Sequence, residues 1–270
     1  EADEFDRSFL HLSPFASIVT AMDPDHLDVY GDASNFTDGF RQYAMKIDPN
    51  GVCVVKEGLS LPTLCPSVSY GIDSETADYK GYNLSYIDGE MQFFVDTKSS
   101  RRVRFQLGLP GIHNVSNALA CIALLDQLGL PMADIQRGLA SFKGVKRRFD
   151  VQIKTSDLVY IDDYAHHPEE LKSLIDSLRM MYPEQKISAV FQPHLYTRTR
   201  DFGNAFSEQL SRFDSLILLP IYPAREPEII GISSEWLLSM VRLENKEVLS
   251  STGVLEVMKQ KTTGIIVTIG

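Results

Sequence analysis

Cysteine is scarce in this chain, and its placement builds nothing. Cys53, Cys65 and Cys121 are the only three in 270 residues. They form neither a paired metal-ligand spacing nor an even-numbered disulfide framework. A reducing cytoplasm is therefore the expected compartment. No apolar run reaches bilayer-spanning length, so membrane insertion is not expected. Basic residues are also in deficit: 26 Lys and Arg against 36 Asp and Glu give a formal net charge of -10. Such a balance argues against nucleic acid as a partner. The chain has no internal repeat, no low-complexity tract and no G-x-x-x-x-G-K-[ST] phosphate loop. With 44% hydrophobic residues, it can still bury a sizeable core, and two domains are expected.

The most informative stretch is Asp162-Asp163-Tyr164-Ala165-His166-His167-Pro168. It follows an apolar run at 158–161 that reads as a buried strand. Pro168 suits a first helical turn, and Glu169 and Glu170 suit the positive end of a helix dipole. Leu171, Leu174, Ile175 and Leu178 then recur at helical spacing. Titratable side chains thus crowd a strand-to-helix turn, where open α/β sheets bind ligands. A hydrated polar turn remains the simpler alternative for this stretch alone.

Two later segments repeat the arrangement. A strand at 187–191 runs into Gln192-Pro193-His194-Leu195-Tyr196-Thr197-Arg198-Thr199-Arg200, then a helix with Phe202, Phe206 and Leu210 on one face. A strand at 215–219 precedes Tyr222-Pro223-Ala224-Arg225, with a helix from Ser233 or Ser234. A last strand spans 264–269. This alternation predicts an α/β fold with a mainly parallel sheet and right-handed crossovers. His166, His167, His194, Arg198, Arg200 and Arg225 would then share one sheet edge. A basic, imidazole-rich edge on an acidic chain points to a small anionic ligand.

The first half reads differently. A strand is expected at 17–20 and a helix at 35–45. Alternation from 79 to 106 carries a hairpin signal at Asp88-Gly89. Helices are expected at 114–128 and 134–142, with Cys121 as a small core residue on the first. Lys143 to Asp150 forms a basic connector, and the domain boundary is placed there, giving residues 1–147 and 148–270. The triplet Lys146-Arg147-Arg148 is equally compatible with a solvated linker. Asp25, His26 and Asp28 form an oxygen-rich loop able to hold Mg²⁺ beside phosphate oxygens, or simply a loop with a structural histidine.

Several segments together resemble the Mur ligases. They are residues 1–10, Asp25-His26-Leu27-Asp28, His113-Asn114-Val115-Ser116-Asn117-Ala118, Gly144-Val145-Lys146-Arg147-Arg148-Phe149, and the two loops beginning at Asp162 and Gln192. The matches run in order over nearly the whole chain. The resemblance implies a partial P-loop-type ATPase central domain followed by a Rossmann-like C-terminal domain. Its phosphate loop and UDP-binding domain are expected upstream of Glu1, so the chain reads as a piece of a longer enzyme.

Within the family, the loop from Gln192 to Arg200 points to the branch that joins L-alanine to UDP-N-acetylmuramate through an acyl phosphate. The resemblance then implies ATP and Mg²⁺ as cofactors. Glu1 and His26 would ligand the metal. Asn114 and Asn117 would read adenine, while Arg148 and Asp163 would reach the nucleotide. Tyr164, His166, His194, Arg198 and Arg200 would hold the acceptor side. Arg148, Asp163 and His166 are the expected catalytic groups. Leu195 stands where many members carry Arg. Three alternatives stay open: a sister ligase adding a whole peptide, a folate polyglutamate ligase, and a non-catalytic nucleotide-binding module.

Overall fold

The computed structural model describes residue 2 and residues 4–22, 27–87, 89–261 and 263–270. The chain forms two compact units: Glu1–Gly108 with Ile112–Phe142, and Leu109–Gly111 with Lys143–Gly270.

The first unit holds strands β1 (Ala16–Val19), β2 (Val52–Lys56), β3 (Ser67–Ile72), β4 (Tyr79–Ile87), β5 (Glu90–Asp96) and β6 (Val103–Leu107). They lie in sequence order in one sheet. Neighbours from β1 to β4 run parallel, and β4, β5 and β6 run antiparallel. The sheet is accompanied by α1 (Leu27–Tyr30), α2 (Ala33–Ala44), α3 (Ile112–Gln127) and α4 (Met132–Ser141).

Alternation in β5 buries Met91, Phe93 and Val95 in turn, as a half-covered strand requires. β2 has no such signature, because a parallel strand covered on both faces reads as a continuous apolar run. Gly51 precedes β2 where a Cβ would stand 1.7 Å from the Phe15 carbonyl oxygen, so no side chain fits. Cys121 is exposed on α3, contrary to its expected core place. The buried face of the helix centres on Val115, Leu119 and Ile122, and Cys121 falls off it.

The second unit contains β7 (Asp150–Lys154), β8 (Leu158–Asp163), α5 (Pro168–Met181), β9 (Ile187–Phe191), α6 (Tyr196–Asp201), α7 (Gly203–Leu210) and β10 (Ser215–Leu218). It continues with α8 (Ser234–Met240), β11 (Lys246–Val248), α9 (Ser251–Lys259) and β12 (Gly264–Ile269). The strand order is β11-β10-β9-β12-β8-β7, and only β7 runs antiparallel to its neighbour. Phe202 breaks the expected helix between α6 and α7 and is 40% exposed, while Phe206 and Leu210 are buried.

Leu171, Leu174, Ile175 and Leu178 of α5 pack with Ile161, Phe191, Ile265 and Val267 in one core. Truncating Leu174 to Ala there would cost about 2–5 kcal/mol. Register levels the strand ends: Asp163 pairs with Ile269, Ile269 with Phe191, and Phe191 with Leu218. The loops after β8, β9 and β10 therefore leave the same edge of the sheet.

Candidate active site

The connector before β7 is held in an unusual backbone conformation. Arg147 has φ 59° and Phe149 φ 50°. Such strain costs non-glycine residues about 1–3 kcal/mol and persists only where surroundings enforce it. Here they do. The Phe149 side chain is buried in the second unit's core, and its N–H donates to Asp163 Oδ2 at 2.6 Å. The Tyr164 N–H donates to the Arg147 carbonyl at 2.8 Å. Arg147 Nη2 donates to the Gly270 carbonyl at 2.7 Å, and its guanidinium lies 4.5 Å from the Tyr164 ring centre. Arg147 is thus fastened to the sheet end, although its side chain stays half exposed. Arg148, equally exposed at 54%, sits 3.6 Å from Glu170 Oε1 and 5.7 Å from the same Tyr164 ring centre.

Asp163 ends β8. Its second oxygen accepts the Ala165 N–H at 2.8 Å. Burial pushes its carboxyl above the usual range, opposed by the Phe149 and Ala165 N–H groups and by Arg148. A capping box then starts α5: His167 caps with its side chain, and the Glu170 carboxylate accepts the His166 and His167 N–H groups. His166 Nδ1 lies 2.9 Å from the Tyr164 carbonyl oxygen. A carbonyl only accepts, so in the neutral ring Nδ1 carries the hydrogen and Nε2 keeps its lone pair.

The two histidine loops meet. The rings of His166 and His194 stack at 6.2 Å, and Tyr164 stands edge-on to both, at 5.1 and 6.1 Å. Burial lowers the His194 pKa, and His166, Arg198 and Arg147 lower it further. The arrangement offers neutral imidazole beside guanidinium, suited to a carboxylate and an amine at once. Arg200, by contrast, is exposed, pairs with Asp201 at 2.7 Å and makes none of these ring contacts.

The other expected residues lie elsewhere. Asn114 and Asn117 stand one turn apart on α3 in the first unit, with Asn117 exposed. Glu1 and His26, expected to ligand a metal, lie outside the described residues. Sequence reasoning missed two members of the cluster. Glu170 was legible as the third residue of a helix opened by Pro168. Tyr222 was not: its ring lies 5.2 Å from His194 through a bridge between residues distant in sequence. A cavity of about 300 Å³ is lined by Tyr196, Ile229, Ile232 and Ser234 among others, and by none of the expected site residues.

Two family models match the chain: "Mur ligase middle domain" over residues 2–125 and "Mur ligase, glutamate ligase domain" over residues 147–263. The chain belongs to the Mur ligase family. Among relatives of this Mur ligase chain, the UDP-N-acetylmuramate--L-alanine ligase of Flavobacterium psychrophilum is 45% identical over 270 residues, covering 100% of this chain and 59% of that protein. The enzyme of the same name from Cytophaga hutchinsonii is 42% identical over 273 residues, covering 100% and 58%. The chain spans about 59% of the length of the curated relatives it matches. Among solved structures, UDP-N-acetylmuramate-alanine ligase MurC from Thermotoga maritima superposes with TM-score 0.82 at 25% identity, covering 100% of this chain and 59% of that one. A MurF ligase from the same organism, in complex with ADP, shares the fold at TM-score 0.70 and 17% identity, covering 95% and 58%. No helix among the described residues is long and apolar enough to cross a membrane.

Proposed function

We propose that this chain belongs to a cytoplasmic ATP-dependent ligase that joins L-alanine to UDP-N-acetylmuramate in peptidoglycan precursor synthesis. The first unit would contribute to nucleotide binding, and the second would bind the acceptor side. One observation carries the reading: Tyr164, His166, His194 and Arg198 gather at the level carboxyl ends of β8 and β9. The names of the relatives point the same way.

The residues present suit a nucleotide. Asn117 offers an exposed amide able both to donate to and to accept from an adenine edge. Arg148 offers an exposed guanidinium whose ion-pair partner among the described residues, Glu170, lies at 3.6 Å. ATP, when bound, supplies the phosphoryl group that activates the lactyl carboxylate. Asn114 and Asn117 would read its base, and Arg148 and Asp163 are the other residues proposed for the nucleotide. Arg148 would stabilise charge gathering on the phosphoryl oxygens. For Mg²⁺, no cluster of three His, Cys, Asp or Glu able to hold a metal exists among the described residues. Glu1 and His26 stay as its proposed ligands, and no step is routed through it.

On the acceptor side, Arg198 would pair with the alanine carboxylate through forked donors. Arg200 would add a more distant positive charge. Tyr164 would wall the site. His166 Nε2, with its lone pair, would take the proton that the alanine ammonium must lose before attack. The amine then forms its bond to the acyl carbon, and phosphate departs with the bonding electrons.

Phosphate release by the protein expressed from its full reading frame tests this reading. Release is expected only with both UDP-N-acetylmuramate and L-alanine present. A peptide that replaced L-alanine efficiently would favour the sister ligase. The 270-residue chain alone, which lacks a G-x-x-x-x-G-K-[ST] loop, should release none. Turnover by that chain would overturn the expectation that a phosphate loop outside these 270 residues is needed.

A further inference from the structure

The loop between β10 and α8 holds a carboxylate that the proposed chemistry does not use. Glu226 accepts the Thr197 backbone N–H at 3.0 Å, and its other oxygen accepts the Thr197 hydroxyl. Thr197 is the second residue of α6, the six-residue helix that carries Arg198. A helix this short does not hold itself together, and its first N–H groups have no partner within it. The preceding residue cannot help, because Leu195 has no side-chain acceptor. Leu195 is also strained, at φ 66° and ψ 135°.

What holds this turn comes from the neighbouring loop. The Leu195 N–H donates to the Tyr222 carbonyl at 2.9 Å, and the Tyr222 N–H donates to the Pro193 carbonyl at 2.8 Å. Glu226 adds a side-chain cap and places negative charge at the helix N-terminus, where the dipole favours it. Within α6 the two arginines then differ. Arg200 is matched by Asp201 at 2.7 Å, whereas the side chain of Arg198 makes no hydrogen bond or ion pair among the described residues.

We propose that Glu226 is a positioning residue: by capping α6 from the loop after β10, it fixes the strained Leu195 turn and hence the direction in which Arg198 is presented. It touches no reacting atom. The inference rests on the reading of Arg198 as the group that binds the alanine carboxylate.

The test combines two measurements. In the enzyme from the full reading frame, Glu226→Ala should raise the KM for L-alanine by about tenfold, as misplacing a binding group by a fraction of an ångström does, with kcat at saturating L-alanine and the KM for ATP little changed. Glu226→Gln keeps one acceptor and should restore most of the loss. Thr197→Val should add little in the Glu226→Ala background, since both remove the same contact. An unchanged KM for L-alanine, or penalties that simply add, would overturn the proposal. Separately, amide exchange of the Thr197 N–H in the 270-residue chain should be protected, become fast in Glu226→Ala and slow again in Glu226→Gln. Equal protection in all three would refute the cap itself, whatever the enzyme's substrate. Absence of L-alanine-dependent phosphate release by the unmodified enzyme would instead sink the functional reading and leave the exchange result standing on its own.

Discussion

Asp163 accepts the backbone N–H of Phe149 at 2.6 Å, so the carboxylate that ends β8 also anchors the connector. Its other oxygen is engaged by the Ala165 N–H, and both Phe149 and Ala165 are buried. Asp163→Asn leaves one of these N–H groups facing an amide donor. Urea unfolding of the chain should show a loss of about 1–3 kcal/mol at neutral pH. The pH dependence has a definite sign. Burial raises this carboxyl's pKa in the fold, so the group's stabilising contribution is full below the unfolded value of about 4. That contribution falls away as pH rises through the raised pKa, and Asp163→Asn should remove this slope. A variant as stable as the parent at every pH would show that the connector is held by other contacts.

Arg147 and Arg148 are adjacent, yet the fold gives them different work. Arg148→Ala in the enzyme from the full reading frame should lower kcat by roughly 10²-fold or more if the side chain stabilises transferring phosphoryl charge. Arg147→Ala should be much milder in kcat and should instead lower the thermal midpoint, because it removes the bond to the Gly270 carbonyl and the contact with Tyr164. Equal, small effects of both on kcat would leave Arg148 without a catalytic part.

His194 titrates below the ordinary imidazole value, chiefly through burial and then through His166, Arg198 and Arg147. Proton NMR titration of the chain should place it below about 6.5. Arg198→Met should move it part of the way back. A folded pKa below the unfolded one means that the group's contribution to stability is present above about pH 6.5 and is lost as pH falls through the folded pKa. His194→Gln should flatten that acid limb. A His194 pKa that ignored Arg198 would place the guanidinium outside the cluster and weaken its assignment to the acceptor carboxylate.

Much of the second unit was legible in the residues. Apolar runs ahead of Asp162, Gln192 and Pro220 marked strands, and Pro168 with Glu170 marked a helix start. Those signals are local: they depend on side-chain period, proline's fixed φ and the helix dipole. They suffice to place polar loops after strands, and so to nominate His166, His194 and Arg198. The same local logic failed at Cys121, an apolar residue that falls off the buried face of α3, and at β2, where no alternation marks a strand covered on both sides.

What the sequence by itself determined was therefore which segments become strands and helices around the loops, and which titratable groups stand in those loops. The tertiary structure decided the rest. β12, last in the chain, inserts between β8 and β9 and levels their ends, because parallel pairing joins residues more than seventy apart that no local pattern relates. That register brings Tyr164, His166 and His194 within ring contact. It also lets Arg147 bond the Gly270 carbonyl while the equally exposed Arg148 pairs with Glu170, a distinction that two identical side chains in one basic triplet cannot encode on their own.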